Sequence, residues 1–369
     1  MQSTDSPHGE QVQVVRPLDV IVVGAGIGGL TAAASLRRAG HNVKVFEQST
    51  LNNETGAAIM VGPNASRCLE KLGYVEKRLC GVHFKGFEHY HGDGTPIVTV
   101  GGPSTEKEFG APWWLTHRFD LHHELKELTV GENGDGKPAE LHLGSQIAAV
   151  DADEGIVTLA SGEAYQADLI VAADGIYSTI RKLLFDPSKP KTTGSSAFRF
   201  VAYSIDIEED PECIVPVPGK CFGFVQPGKR MVLYPCRNGS LYNFTGVFAG
   251  GLEGETAEVW TSASSIEAVL EVFNEKEFPP KLINTIKKAI PGSVKCWQLL
   301  QHEKLASWIK GRVCLVGDAA HAMLPHQGQG GGQAIEDGAV LGVLLSLGTT
   351  RDQVPRMLEM YNSTRYASR

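Results

Sequence analysis

Asp19-Val20-Ile21-Val22-Val23-Gly24-Ala25-Gly26-Ile27-Gly28-Gly29 decides how the rest of the chain is read. Asp19–Val23 is a continuous β-branched run, as a strand covered on both faces of a parallel sheet requires. Gly24, Gly26 and Gly29 follow at once and complete the pattern G-x-G-x-x-G. In such a turn the first glycine makes the tight bend and the second lets a pyrophosphate touch bare backbone. The third lets the following helix press on the strand. The helix start then offers free N–H groups and a partial positive charge to the phosphates. Leu30 to Ala39 reads as that helix, with Ala32, Ala33 and Ala34 packing closely and Gly40 closing it as a C-cap. Val43 to Phe46 is the next strand. Glu47 stands at its end, about 20 residues beyond the glycines, where a carboxylate can bind ribose hydroxyls. This is the opening βαβ unit of a dinucleotide-binding domain, and it does not say which dinucleotide.

The same reading extends outward. Ala65 to Leu72 reads as a helix ended by Gly73, with Leu69 and Leu72 inward. Phe84 to Val100 reads as a hairpin turning at Gly92 to Thr95, and Leu121 to Leu128 as a helix. Val130 to Pro138 is a polar loop. Ala167 to Ala173 is another buried strand. Ser195 to Gly250 holds several strand-like runs separated by turn signals, which predicts an antiparallel sheet. Ile266 to Ile290 carries two helical patterns. Arg312 to Val316 is a last buried strand, followed by a long glycine-rich loop and a helix from about Gln333. Within that helix, Ala339 to Leu347 reads as a buried apolar run.

Composition bounds the function. The chain has 369 residues, 42% of them apolar and 21% charged, with a formal net charge of −8. That balance suits a globular protein with a sizeable core. It argues against a nucleic-acid partner, which needs a basic face. No run of about 18 apolar residues is present, so no spanning helix is expected. Residues Met1 to Asp19 lack the basic start and apolar stretch of a secretory signal. Seven cysteines (Cys68, Cys80, Cys213, Cys221, Cys236, Cys296 and Cys314) show no C-x-x-C spacing. An odd, scattered set fits buried, reduced thiols and a cytoplasmic location. His83, His89, His91, His122 and His123 match no compact metal spacing, so no metal is expected.

Three further segments stand out. Asp174-Gly175-Ile176-Tyr177-Ser178-Thr179-Ile180-Arg181 follows one buried strand. Gly317-Asp318-Ala319-Ala320-His321 follows the last one. Leu324-Pro325-His326-Gln327-Gly328-Gln329-Gly330-Gly331-Gly332-Gln333-Ala334-Ile335-Glu336-Asp337 comes directly after. With the first fingerprint, this set in this order resembles the group A flavoprotein monooxygenases, and most of all the salicylate-hydroxylase-like enzymes, including fungal members of secondary metabolism. Gly56-Ala57-Ala58-Ile59, Pro63-Asn64-Ala65 and Thr116-His117-Arg118-Phe119-Asp120-Leu121 fit the same subgroup. The resemblance spans nearly the whole chain.

The resemblance implies FAD as cofactor, NAD(P)H as transient co-substrate and dioxygen as oxidant. It implies hydroxylation of an aromatic, a phenolic acid or polyketide-like phenol, through a C4a-hydroperoxyflavin. It also implies an α/β architecture: a glutathione-reductase-like, Rossmann-type FAD domain with an inserted, mostly antiparallel substrate domain. The FAD domain would comprise residues 16–82, 110–190 and 300–369, and the substrate domain 83–109 and 191–299. In the family the position of Gly331 touches the flavin through its backbone, Ala58 lies in a flavin-contacting loop, and Arg118 matches an arginine that reaches the cofactor. The Asp174-Gly175 segment is linked to pyrophosphate binding, with Arg181 one turn on as a source of positive charge. Many relatives carry Gly where this chain has Ala58 and Ala where it has Gly331, and relatives continue past Tyr361–Arg365 into further C-terminal helices.

Residue chemistry adds to this. Asp318, at a strand end, can accept hydrogen bonds from ribityl or ribose hydroxyls. Glycines from Gly328 to Gly332 clear space for backbone against a flat ring. An aromatic ring is hydroxylated most readily as a phenolate, so the pocket needs a group that favours the anion. Arg199, between Phe198 and Phe200, offers a fixed cation. Tyr234, expected on the neighbouring strand, can share that hydrogen bond; an Arg and a Tyr serve this role at comparable places in some fungal relatives. His326 is a candidate proton relay at the pocket edge, and Tyr203 a reserve candidate. His321 and Trp113-Trp114 read first as structural. Rival functions are an FAD-dependent epoxidase, oxidase or halogenase-like enzyme on the same scaffold, and a non-catalytic flavin-binding sensor. The Trp-x-Trp-x-Ile-Pro signature of related halogenases is not present. The expected assembly is a monomer or homodimer.

Overall fold

The computed structural model describes residues 16–50, 57–101, 105–250 and 262–366. Gly56, quoted above with Ala57–Ile59, and residues 1–15 lie outside the described residues. The strand Asp19–Val23 sits near the middle of a six-stranded sheet, flanked by Asn42–Glu47 and Leu169–Ala172, both parallel to it. Beyond these lie Glu140–Leu143 on one side and Val313–Leu315 on the other, with Ile309–Lys310 as an antiparallel edge. Val22, Ile170, Val171, Cys314 and Leu315 are fully buried. This is what a β-branched run covered on both faces should give.

The helix after the fingerprint runs Ile27–Arg38, three residues earlier than its apolar pattern alone suggests, because Ile27, Gly28 and Gly29 already form its first turn. Gly40 has the positive φ of +94° that lets the chain turn back. The second glycine stretch differs more from its sequence reading. The helix begins at Gly330, not Gln333, and runs to Leu344, so Gly330, Gly331 and Gly332 are its first turn rather than loop. It packs across the first helix at two glycines. A Cβ on Gly338 would lie 2.5 Å from Ala32 N, and one on Gly342 2.7 Å from Ser35 Cβ. The apolar run to Leu347 is not a buried helix throughout. The helix ends before it does, and Val343 and Leu347 are exposed.

An eight-stranded sheet forms the second layer. Its order is Ser262–Ala263, Lys295–Gln301, Lys191–Tyr203, Leu241–Ala249, Lys229–Cys236, Lys220–Gln226, Gly86–His91 and Pro96–Val100. All its pairs are antiparallel except Lys220–Gln226 with Gly86–His91. One face carries Phe198, Phe200, Phe222, Phe224, Leu233, Phe244 and Phe248, packed under the helices Ile266–Val272 and Pro280–Ile286. Strand alternation sends Arg199, Val201, Val232, Tyr234, Asn243 and Thr245 to the other face.

That second face meets the dinucleotide-binding layer. A small sheet of Ala58–Val61, Val82–His83 and Trp114–His117 lies between them. The hairpin joining Lys229–Cys236 to Leu241–Ala249 is clasped there. Arg237 donates to both carboxylate oxygens of Asp120 at 2.9 Å, and Asn238 N–H donates to Cys80 O. Arg237, Asn238 and Gly239 all have positive φ, so this tip is held in a left-handed conformation that only Gly adopts freely.

Candidate active site

The glycine turn is built as its spacing requires. Gly24 has φ +98°, and a Cβ there would lie 2.4 Å from Ala173 O. A Cβ on Gly29 would fall 1.9 Å from Gly24 O, so helix and turn are in backbone contact. Gly26 is different: a Cβ there meets no described atom within 4 Å. It opens on empty space at the N-terminus of Ile27–Arg38, where no side chain caps the free N–H groups. A pyrophosphate fits this cradle. Glu47 borders it, accepting Ala25 N–H and Ser49 N–H at 2.8 Å each. Two acceptor lone pairs per carboxylate oxygen leave it capacity for ribose hydroxyls. His122, weighed from sequence only as a metal ligand, holds the turn from below through Nε2 and Ala25 O at 2.7 Å.

Asp318 starts the short helix Asp318–His321 and is exposed at the carboxyl end of Val313–Leu315. Gly28, Gly317 and Ala334 meet beside it: a Cβ on Gly28 or Gly317 would lie 3.3 or 3.2 Å from Ala334 Cβ. The first fingerprint, the Asp318 turn and the glycine helix therefore converge. Gly331 faces the small sheet, where a Cβ would be 2.5 Å from Ile59 Cδ1. Arg118 N–H donates to Ala57 O at 3.0 Å, next to Ala58. Ala58, Arg118 and Gly331 thus border one region.

Two sequence assignments meet different surroundings. Asp174 turns its carboxylate into its own loop, accepting Ser178 Oγ at 2.5 Å and Ile180 N–H at 3.1 Å. Burial pushes its carboxyl pKa up, against those hydrogen bonds. Arg181 does not offer its charge to a phosphate. It is buried and donates to the carbonyls of Ala319, Ala320 and Glu303 at 3.1, 3.4 and 2.8 Å. Its role is to fix the turn that carries Asp318.

His321 is structural, as read from sequence. Its Nε2 lies 2.5 Å from Asp337 Oδ2, which also accepts Gly317 N–H at 2.9 Å. Asp337 Oδ1 accepts Arg365 Nε at 2.7 Å, and Arg365 reaches Glu336 and Gln333. Glu336 in turn accepts Asn64 Nδ2 at 2.8 Å. Burial raises the Asp337 pKa, but His321, Arg365 and the Gly317 N–H outweigh it and hold it below the ordinary carboxylate range. Asp337 and Arg365 were not singled out, because a buried acid on an otherwise apolar helix face has no local signature.

On the substrate-sheet face, Arg199 and Tyr234 are not on adjacent strands. Leu241–Ala249 runs between them, with Thr245 opposite Arg199 and Asn243 opposite Tyr234. They still share a face and an electrostatic contact. The guanidinium lowers the Tyr234 pKa, although burial, the larger effect, pushes it well above the usual phenol range. Arg199 makes no hydrogen bond or ion pair to any described residue, and its Nε is fully buried without a partner. It lies over the Trp297 ring at 5.3 Å. Its pKa is lowered by burial, with the Arg118 charge adding to the effect. Arg118 likewise has no ion pair among the described residues. Trp113 packs with Phe84 and Phe87 beside Tyr234. Tyr203 and His326 are exposed, His326 in the turn Pro325–Gln327.

Residues 17–368 match the family model described as FAD binding domain. Among curated relatives, hispidin-3-hydroxylase of Neonothopanus nambi is 35% identical over 364 residues, 94% of this chain and 85% of that protein. The FAD-dependent monooxygenase cfoG of Aspergillus candidus is 35% identical over 368 residues, 94% of this chain and 82% of that protein. Among solved structures, CtdE in complex with FAD and substrate 4 superposes with a TM-score of 0.82 at 22% identity, covering 95% of this chain and 86% of that one. A salicylate hydroxylase substrate complex gives 0.76 at 25% identity, covering 95% and 85%.

Proposed function

The chain belongs to the FAD-dependent monooxygenases that carry this FAD binding domain, and on that premise we propose that it hydroxylates a phenol or phenolic acid held as an anion by Arg199. It is an FAD-dependent aromatic monooxygenase. The observation that carries the reading is the Arg199 guanidinium: its side chain is half-buried, its Nε is buried with no hydrogen-bond partner, it has no counterion among the described residues, and it lies on the sheet face turned toward Ala58 and Arg118. Two neighbouring cations without a carboxylate between them favour an anionic ligand, and an anionic oxygen makes a ring electron-rich toward oxygen transfer.

FAD, when bound, would accept a hydride from NAD(P)H and supply dioxygen chemistry. The protein's part is positional. Gly26 and the helix behind it would take the pyrophosphate, with Glu47 and Asp318 on hydroxyls. Arg199 would hold the phenolate, and Tyr234 would donate to the same oxygen or stack beside the ring. Burial keeps Tyr234 protonated, so it serves as a donor. We read His326 as a proton relay at the pocket edge. Asp174 contributes by shaping its loop beside Gly24. With no second glycine fingerprint in the sequence, NAD(P)H is read as a transient groove ligand.

We retain residues 16–82, 110–190 and 300–369 as the FAD domain and 83–109 and 191–299 as the substrate domain. A cytoplasmic location is supported by seven cysteines that form no disulfide with one another. No helix among the described residues is long and apolar enough to cross a membrane. A monomer or homodimer remains the expected assembly.

The test is a panel of phenolic acids and polyketide-like phenols with NADH or NADPH under air. The expected result is substrate-stimulated NAD(P)H oxidation and a product gaining one oxygen. FAD-replete protein that oxidises NAD(P)H no faster with any of them overturns the anionic-phenol reading.

A further inference from the structure

Asn243 is a fully buried polar residue in the middle of the strand Leu241–Ala249. Its neighbours Tyr242 and Phe244 point to the aromatic core on the opposite face. Asn243 points the other way, and no apolar residue would be out of place there on packing grounds. What it does is specific. Its Oδ1 accepts the Ala58 N–H at 2.9 Å, a contact between residues far apart in sequence and on different sheets. The amide donor of Ala58 fixes which end of the side chain is oxygen. The Nδ2 end then faces Thr245 Oγ1 at 3.4 Å. Thr245 stands opposite Arg199 in the sheet register, and Asn243 itself stands opposite Tyr234.

Ala58 is held from two sides. The preceding residue, Ala57, accepts Arg118 N–H through its carbonyl, and Ala58 pairs with His117 in the small sheet. The remaining edge N–H of Ala58 goes to Asn243. A buried backbone N–H without a partner is costly, so this contact is a strong constraint. One side chain therefore joins the segment that borders the glycine helix to the strand that separates Arg199 from Tyr234.

We propose that Asn243 is a positioning residue: it sets the spacing between the flavin-side segment Ala57–Ile59 and the substrate anion held at Arg199 and Tyr234. The inference rests on the monooxygenase reading for its consequence, but the contact is testable without turnover. Hydroxylation needs the ring carbon and the oxygen donor aligned, and small misplacements cost rate heavily. A loosened Ala58 segment would let reduced cofactor and oxygen react without reaching the substrate.

Two variants separate this role from packing. Asn243→Leu keeps the volume and removes the acceptor. Asn243→Asp keeps an acceptor for the Ala58 N–H. For Asn243→Leu we expect a shifted visible spectrum of the bound flavin, FAD affinity weaker by roughly tenfold, and most NAD(P)H consumed ending as hydrogen peroxide. Asn243→Asp should restore the wild-type flavin spectrum and coupling, even where its charge near Arg199 raises the substrate KM. The proposal is overturned if Asn243→Leu keeps wild-type flavin spectrum, FAD affinity and coupling. It is overturned equally if both variants lose coupling together with thermal stability, the pattern of a packing residue. If the wild type turns over none of the phenols tried, the substrate reading fails, while the spectrum and FAD affinity of the two variants still decide the contact.

Discussion

Gly26 and Gly29 lie three residues apart in one turn, yet they should fail in opposite ways when a methyl group is added. Gly26 has φ −73° and ψ −177°, a conformation open to any residue, and its Cβ would meet no described atom within 4 Å. Gly26→Ala should therefore leave the apoprotein intact, at a cost of no more than about 1 kcal/mol for alanine at a helix N-cap. The space it fills is the one a pyrophosphate needs. Gly29→Ala places its Cβ 1.9 Å from Gly24 O and 3.1 Å from Ala173 Cβ. Both obstacles sit on the sheet side of the turn, so the helix must back away by more than ~1 Å, at about 3 kcal/mol or more. The assay is thermal unfolding of each apoprotein, then of each protein with FAD. With FAD about 100-fold above Kd, the wild type gains about 2.7 kcal/mol through linkage. Gly26→Ala should match the wild type without FAD and lose most of that gain with it. Gly29→Ala should already be destabilised without FAD. A Gly26→Ala protein that binds FAD normally, or that unfolds as early as Gly29→Ala without it, would refute the assignment of this turn.

Arg199→Lys keeps a charge but loses the planar fork, and Tyr234→Phe keeps the packing but loses one hydroxyl; in both, hydroxylated product per NAD(P)H consumed should fall while FAD stays bound. Unchanged coupling in both would mean the substrate anion is held elsewhere. Asp318→Ala should weaken FAD affinity by about 1.5–3 kcal/mol, the usual range for a hydrogen bond to a charged group, read by titrating apoprotein with FAD. Asp337 has a folded-state pKa below its unfolded one, so its contribution is present above about pH 4 and lost as pH falls through the folded pKa. Urea midpoints between about pH 3 and 7 should show this acid limb in the wild type and a flatter one in Asp337→Asn, which should also be weaker near neutrality by about 3 kcal/mol; parallel curves would sink the assignment.

The parts legible in the sequence were those whose physics is local. A β-branched run followed at once by G-x-G-x-x-G constrains strand, turn and helix together, and all three formed, the helix starting three residues before its apolar pattern. The hairpin turning at Gly92–Thr95 and the two helices after residue 266 were legible for the same reason. The helix starting at Gly330 was harder to place, because three glycines in a row carry poor helix propensity. The packing of Gly331 against Ile59 and Gly338 against Ala32 overrides it. Arg181 looked like a phosphate ligand because the resemblance links its segment to pyrophosphate binding, but its partners Ala319 and Ala320 lie well over 100 residues away. Asn243 carried only the faint signal of a polar residue between Tyr242 and Phe244. Which groups it joins depends on how two sheets dock, and no local pattern encodes that.

The way this protein uses its buried arginines gives an independent argument for the site. Arg37 is fully buried and gives its nitrogens to the carbonyls of Leu128, Thr129, Gly134 and Gly136. Arg181 gives both terminal nitrogens to carbonyls, and Arg365 donates from all three nitrogens to Asp337, Glu336 and Gln333. Each of these side chains ties a distant loop or helix to the dinucleotide-binding layer. A guanidinium taken out of water without such partners loses several kcal/mol of solvation. Arg199 bears part of that loss at its buried Nε: among the described residues no carbonyl or carboxylate meets it, and the Trp297 ring it lies over recovers only about 1–2 kcal/mol at best. Arg118, close enough to depress its pKa, makes matters worse by like charge. A ligand with a neutral edge would leave both cations uncompensated. An anionic oxygen between them would satisfy the unpartnered donor and screen the repulsion in one step, which would turn the cost of an unpaired Arg199 into selectivity for an ionised substrate.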